Sequence, residues 1–292
     1  MIGRFAREPM AIGGILTAMV TPFDRNGDLD EEAAVRLMHH LFESGSDGLV
    51  LAGSTGEGAT LSDDEKARLW KLAVAEAPEG ATLIAGTGTY DTRHTVELTK
   101  RATTIGMHAM LVVTPYYVKP NRRGLIAHYE AVAAATDRPI VLYNIPGRTA
   151  LDMPNDLLAE LARIDNVVAV KQARYEELAP IEGLDLLAGN DDVLADVLDM
   201  GGTGGILVAS HLVGREMRRM IDEPGSRRDI HNALKDLFAA LTVTTNPIPV
   251  KAALNMAGLG VGGLRLPLVE ADAAEKLAIR EALERHNLLA AV

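Results

Sequence analysis

The sequence predicts an α/β protein, a TIM (β/α)₈ barrel with a C-terminal helical extension, and three observations lead there. Eight short apolar runs recur along the 292 residues, each followed by a helix-like segment. The runs are continuous rather than alternating, as in parallel strands buried on both faces. Eight such units in a chain of this length match a barrel of roughly 250 residues better than an open sheet. The doubly wound alternative needs a Gly-rich turn after the first strand, where this chain has Thr21-Pro22-Phe23-Asp24-Arg25.

The first strand is expected over residues 15–20, inside an apolar run that starts at Met10 behind Arg4 and Arg7. That grouping copies a signal peptide superficially, but the run is Gly-rich and continues into Thr21-Pro22-Phe23 without a small-residue cleavage pattern. Further strands are expected over 48–52, 82–85, 109–113, 140–143, 167–170, 184–188 and 205–209. Between them, Ser62 offers an N-cap with Glu65 as its capping-box partner. Residues 91–101 and 155–163 place apolar side chains at three- and four-residue spacing. From Arg227 the pattern reads as further helices, broken by Asn246-Pro247-Ile248-Pro249 and Leu266-Pro267. The expected division is therefore a barrel over 1–226 and an extension over 227–292.

Composition narrows the function. The apolar fraction is 48% and the charged fraction 24%, ordinary for a soluble enzyme. Net charge is −11, with the two signs interleaved, which excludes the clustered Lys and Arg of a nucleic-acid or anionic-membrane surface. The chain has no cysteine, so disulfides, thiolate catalysis and Cys-ligated zinc are excluded. No stretch reaches the ~18 apolar residues of a membrane helix. The expectation is a cytoplasmic protein.

In such barrels chemistry sits at the carboxyl ends of the strands. Those ends hold Gly53-Ser54-Thr55-Gly56-Glu57, Thr114-Pro115-Tyr116-Tyr117, Tyr143-Asn144-Ile145-Pro146-Gly147-Arg148, Lys171 and Gly189-Asn190-Asp191-Asp192. Lys171 directly follows the apolar run 167–170, where burial favours an uncharged amine that attacks carbonyls. A strand-end lysine also snorkels to solvent, and position alone does not separate the two roles. Tyr143 at the same height, with Ser54 and Tyr117 facing the mouth, makes the nucleophile the better reading, because three hydroxyls form a proton relay. Singly, Tyr143 reads equally as a core tyrosine and Ser54 as a helix cap.

The loop 53–58 lacks the Gly-Lys-Ser/Thr ending of a phosphate loop and suits a small carboxylate. The Gly-rich stretch 201–205 precedes the eighth strand, so tight-turn geometry explains it. Asp191-Asp192 and Ser210-His211 have the wrong sign for phosphate, and capping of the following helix is the expected role of the aspartate pair. The eight histidines form no His-x-His or His-Glu-x-x-His spacing, and His39-His40 reads as a surface pair, so no metal is expected.

Four separated motifs then carry a resemblance. Gly53-Ser54-Thr55-Gly56-Glu57, Val113-Thr114-Pro115-Tyr116-Tyr117, Tyr143-Asn144-Ile145-Pro146 and Val170-Lys171 resemble, in that order, the dihydrodipicolinate synthase / N-acetylneuraminate lyase family. Gly147-Arg148-Thr149, the segment from Asn246 to Lys251 and Leu264-Arg265-Leu266-Pro267 are similar to the synthase branch. The resemblance implies a lyase without cofactor, condensing pyruvate with L-aspartate 4-semialdehyde to 4-hydroxy-tetrahydrodipicolinate in lysine and diaminopimelate biosynthesis. It implies that Lys171 forms a covalent imine, that Tyr143 moves protons, and that Ser54 links Tyr143 to Tyr117 from a neighbouring subunit. It further implies Thr55 on the pyruvate carboxylate, Arg148 on the acceptor carboxylate, Gly189 and Ile206 as pocket lining, and a homotetramer built as a dimer of tight dimers. Arg148 suits its place, since a planar fork matches a carboxylate bidentately.

Several positions depart from the family pattern. Ser54 stands where threonine is usual, losing the methyl that restrains the rotamer. Gln172-Ala173-Arg174-Tyr175 replaces an acidic or small-polar turn, ahead of a shortened sixth helix. Tyr90 and His94 stand where lysine-inhibited synthases have asparagine and glutamate, which implies weak or absent feedback by lysine. Two other functions stay open: an aldolase of the same family acting on a 2-keto-3-deoxy sugar acid or related keto acid, and an inactive metabolite-binding barrel.

Overall fold

A computed structural model describes residues 12–290, so the Arg4 and Arg7 cluster and the start of the apolar run lie outside the described residues. Eight parallel strands close into a barrel in sequence order. They are β1 (Gly14–Ala18), β2 (Gly48–Leu51), β3 (Thr82–Gly86), β4 (Ala109–Val113), β5 (Ile140–Asn144), β6 (Val167–Gln172), β7 (Asp185–Ala188) and β8 (Gly204–Leu207). The expected strands one, seven and eight shift by one or two residues. The sixth matters most, because Lys171 lies within β6 rather than beyond it.

Residues of alternate parity face the barrel interior, among them Leu16, Val50, Leu111, Val141, Ala169 and Leu187. The strands read as unbroken apolar runs because the opposite parity packs under the helices. Closure of β8 onto β1 explains a glycine: Gly204 has φ +150°, and any Cβ there would collide with the Gly14 backbone.

The helices α1 (Glu31–Glu43), α2 (Asp63–Glu76), α3 (Thr92–Ile105) and α4 (Arg122–Ala133) follow the first four strands. At α2 the capping box is complete: Glu65 N donates to Ser62 Oγ at 3.2 Å, and Ser62 N donates to Glu65 Oε2 at 2.8 Å. After β5 come a single turn, α5 (Pro146–Thr149), and α6 (Asn155–Leu161). The shortened helix expected before Leu184 is absent; residues 173–184 are turns with a bridge between Ile181 and Leu184. Pro180 and Gly183 break the segment. Arg174, 7% exposed, holds it by pairing with Asp152 at 2.9 Å and with Glu177.

Beyond β7 a 3₁₀ turn at Asp191–Val193 leads into α7 (Leu194–Asp199), and α8 (Ser210–Asp222) follows β8. The extension consists of α9 (Arg227–Ala240), α10 (Ile248–Met256) and α11 (Ala273–Arg285). The first of these packs on α8, and the other two pack on each other. His39-His40 is only half a surface pair. His39 bonds Glu76 at 2.9 Å, whereas half-buried His40 reaches the His211 carbonyl at 3.2 Å. Among the described residues no helix is long and apolar enough to cross a membrane.

Candidate active site

Strand register assembles the centre. Tyr143 on β5 pairs laterally with Lys171 on β6, and both side chains point inward by the same parity as Val141 and Ala169. Lys171 is 5% exposed, with its Nζ 4.3 Å above the centre of the Tyr143 ring. The two form the floor of a cavity of about 690 Å³ at the carboxyl ends of the strands. Ser54, Thr55, Arg148 and Gly189 line its walls.

Two expected residues are elsewhere. Ile206 is fully buried in the interior cluster with Tyr143 and does not line the cavity. Tyr117 is 89% exposed and points away from this chain's cavity, on a backbone with φ +69°. Non-glycine residues adopt that conformation rarely, and usually where surrounding structure or function holds them. Its neighbour Tyr116 packs edge-to-face on Tyr90, with ring centres 5.5 Å apart. Tyr90, Tyr117 and Val118 together leave an exposed apolar face beside the mouth.

Ser54 and Tyr143 also border a second cavity of about 300 Å³, between the ends of β2 to β4 and the starts of α2 and α3. The two residues are thus a shared wall. His94 and Lys66 approach Asp63 there at 2.9 Å and 3.7 Å. Burial pushes the Lys66 ammonium below its ordinary pKa, against the pull of Asp63.

Three further residues, not expected as site residues, join the first cavity. Asp191 was expected to cap the helix that follows it. Instead its Oδ1 accepts from Val208 N at 2.9 Å and Ala209 N at 3.0 Å, tying the β7 loop to the start of α8. Burial, helped by Asp192, pushes its carboxyl up to about 6, while the two amides and the Lys171 charge pull it down. Tyr175, from the segment without a helix, donates to Asp192 at 3.2 Å and lines the outer wall. Asn246 donates from Nδ2 to Thr55 Oγ1 at 2.9 Å, and its carbonyl accepts from Arg148 at 2.8 Å. The segment from Asn246 reads as a helix break and as synthase-like, but the asparagine's contact across 191 positions has no local signal.

His211 is a structural group. Its Nε2 accepts from Val20 N at 3.1 Å, and burial lowers its pKa to about 4, keeping it uncharged. Among the described residues no three His, Asp or Glu side chains converge as a metal site requires.

The cavity thus presents an amine, a phenol and an alcohol on its floor and lower wall, with the Thr55 hydroxyl and the Arg148 guanidinium also in its lining. The family model of the dihydrodipicolinate synthetases matches residues 11–286. The 4-hydroxy-tetrahydrodipicolinate synthase of Heliobacterium modesticaldum is 44% identical, over 96% of this chain and 97% of that protein. The dihydrodipicolinate synthase of Cyanidioschyzon merolae, solved with lysine bound, superposes with a TM-score of 0.91 at 39% identity, covering 95% and 99% of the two chains. That of Acinetobacter baumannii, chloride inhibited and complexed with pyruvate, gives 0.92 at 34% identity, covering 96% and 100%. With this site in this barrel, the chain belongs to the dihydrodipicolinate synthetase family.

Proposed function

We propose that the chain condenses pyruvate with L-aspartate 4-semialdehyde to 4-hydroxy-tetrahydrodipicolinate through an imine on Lys171. The observation that carries this is the pairing of Tyr143 and Lys171 in register at the cavity floor, under Thr55 and Arg148. The Lys171 amine adds to the pyruvate keto carbon, and loss of water leaves the imine. Removal of a methyl proton then gives an enamine whose carbon attacks the aldehyde. The acceptor's own amine then adds to the imine carbon and expels the Lys171 amine, which closes the ring and frees the enzyme. Tyr143, its phenol beside Lys171, transfers the protons of these steps, and Ser54 passes them toward the rim. Thr55 holds the pyruvate carboxylate, and Arg148 holds that of the acceptor. Gly189 lines the pyruvate pocket, and its close approach to the Gln172 carbonyl and Ala173 leaves no space for a side chain. No metal or organic cofactor takes part.

Tyr117 completes the relay in a neighbouring subunit. Its exposure and the apolar face it shares with Tyr90 and Val118 support a tight dimer, two of which form a tetramer. The barrel (1–226) and the extension (227–292) act as one catalytic unit, since Asn246 bridges Thr55 and Arg148.

Borohydride reduction with labelled pyruvate tests the mechanism. Label is expected on the peptide containing Lys171 and absent from Lys171→Ala. Label elsewhere, or turnover retained by that variant, would overturn it. Assays with aspartate semialdehyde against sugar aldehydes separate the synthase from a 2-keto-3-deoxy sugar acid aldolase.

A further inference from the structure

The most deeply buried ion pair among the described residues lies outside the catalytic cavity. Lys251 Nζ stands 2.6 Å from Glu57 Oε1, with side chains 1% and 0% exposed. Such a pair is expensive to bury unless its remaining polar atoms are satisfied. Most are, although Glu57 Oε1 has no partner besides the Lys251 ammonium. Lys251 also donates to the Gly263 carbonyl at 2.6 Å and lies 4.2 Å over the Phe23 ring. Glu57 Oε2 accepts from Arg265 N at 3.0 Å. The Arg265 guanidinium is held in turn by Glu65 and stacks 4.3 Å from Phe23.

What the pair connects gives it meaning. Glu57 closes the turn that carries Ser54 and Thr55: its N–H donates to the Ser54 carbonyl at 3.2 Å, and Thr21 Oγ1 bonds the Gly56 carbonyl at 2.6 Å. Its backbone is left-handed, φ +52°, a conformation that glutamate does not choose locally and that an external hold must maintain. Lys251 sits one helical turn beyond Asn246-Pro247, and its N–H donates to the Pro247 carbonyl at 3.0 Å. The same short segment therefore grips the turn twice, at Glu57 through Lys251 and at Thr55 through Asn246.

We propose that Glu57 and Lys251 are a positioning pair, which fixes Thr55 for the pyruvate carboxylate by locking the Gly53–Gly58 turn to α10. The proposal rests on the reading of Thr55 given above. Loss of the lock lets Thr55 drift while Lys171 and Tyr143, on separate strands, stay in register. The defect therefore falls on pyruvate affinity rather than on imine chemistry. Burial lowers the Lys251 pKa to about 8, so an unpaired lysine here can shed its proton, and Glu57→Gln does not strand a fixed charge.

The test measures borohydride trapping against pyruvate concentration, alongside thermal melting, in wild type, Glu57→Gln and the double variant Glu57→Gln/Lys251→Met. The double variant removes both charges in similar volume and so restores stability lost by a single change. The expected result is a half-saturating pyruvate concentration raised about tenfold in both variants, with maximal trapping kept and the melting temperature of the double variant near wild type. Half-saturation at the wild-type value in Glu57→Gln would overturn the proposal. So would recovery of half-saturation together with the melting temperature in the double variant, since that marks a purely structural pair. Failure of wild type to trap pyruvate would instead overturn the imine mechanism, a distinct result.

Discussion

Asp191 shows what one residue's surroundings do to its chemistry. Burial raises the Asp191 carboxyl from 3.8 to about 6, against the pull of two amides and the Lys171 charge. Between those values the folded chain holds a proton that the unfolded chain has released. This contribution to stability is full below pH 4 and lost as pH rises through 6, a swing of about 3 kcal/mol. Asp191→Asn cannot titrate. Denaturant melts are expected to show wild type losing that stability relative to the variant between pH 4 and 7; parallel profiles would refute it. At Arg148 the expected effect is catalytic. Replacement by Lys keeps the charge but not the fork, so the KM for aspartate semialdehyde should rise about tenfold while pyruvate trapping is kept.

At the scale of elements, the second cavity is lined by Tyr90 and His94, where lysine-inhibited synthases are expected to have asparagine and glutamate. Its carboxylate, Asp63 at the start of α2, is already engaged by His94 from α3 and by Lys66 one turn on. An incoming lysine ammonium would meet Lys66, a like charge, and would have to displace His94. Feedback inhibition by lysine is expected to be weak or absent, and a titration showing strong inhibition at sub-millimolar lysine would refute it. The same helix start carries the capping box, so Ser62→Ala should cost about 1 kcal/mol and lower the melting temperature by roughly 2 °C. That box was legible because its two residues are three apart and their bonds are local. The missing helix between β6 and β7 was not, since Arg174 is held by Asp152, 22 residues earlier.

For the whole molecule, the proposed mechanism requires a second copy to supply Tyr117 to the relay. Mixing experiments test this. Tyr117→Phe and Lys171→Ala subunits are each expected to be nearly inactive. Unfolded and refolded together, they should regain roughly a quarter of wild-type sites, because half the dimers are hybrid and one site in each is intact. No recovery would confine the relay to one chain. The extension has a comparable role within the subunit, since it supplies Asn246 to the mouth and Lys251 to the loop beneath it.

The sequence by itself determined the barrel and its strand order, and it singled out Lys171, Tyr143, Ser54, Thr55 and Arg148, which the structure gathers round one cavity. Buried parallel strands write continuous apolar runs, and barrel chemistry follows at their carboxyl ends, so both signals are local. Only the tertiary structure decided that Lys171 lies within its strand, that Asp191 serves the next loop and that Ile206 is buried off the cavity surface. It also decided that Asn246, Lys251 and Glu57 meet. Those outcomes depend on register and on contacts between residues up to 194 positions apart, as at Glu57 and Lys251. Chain entropy opposes such contacts until the barrel has closed.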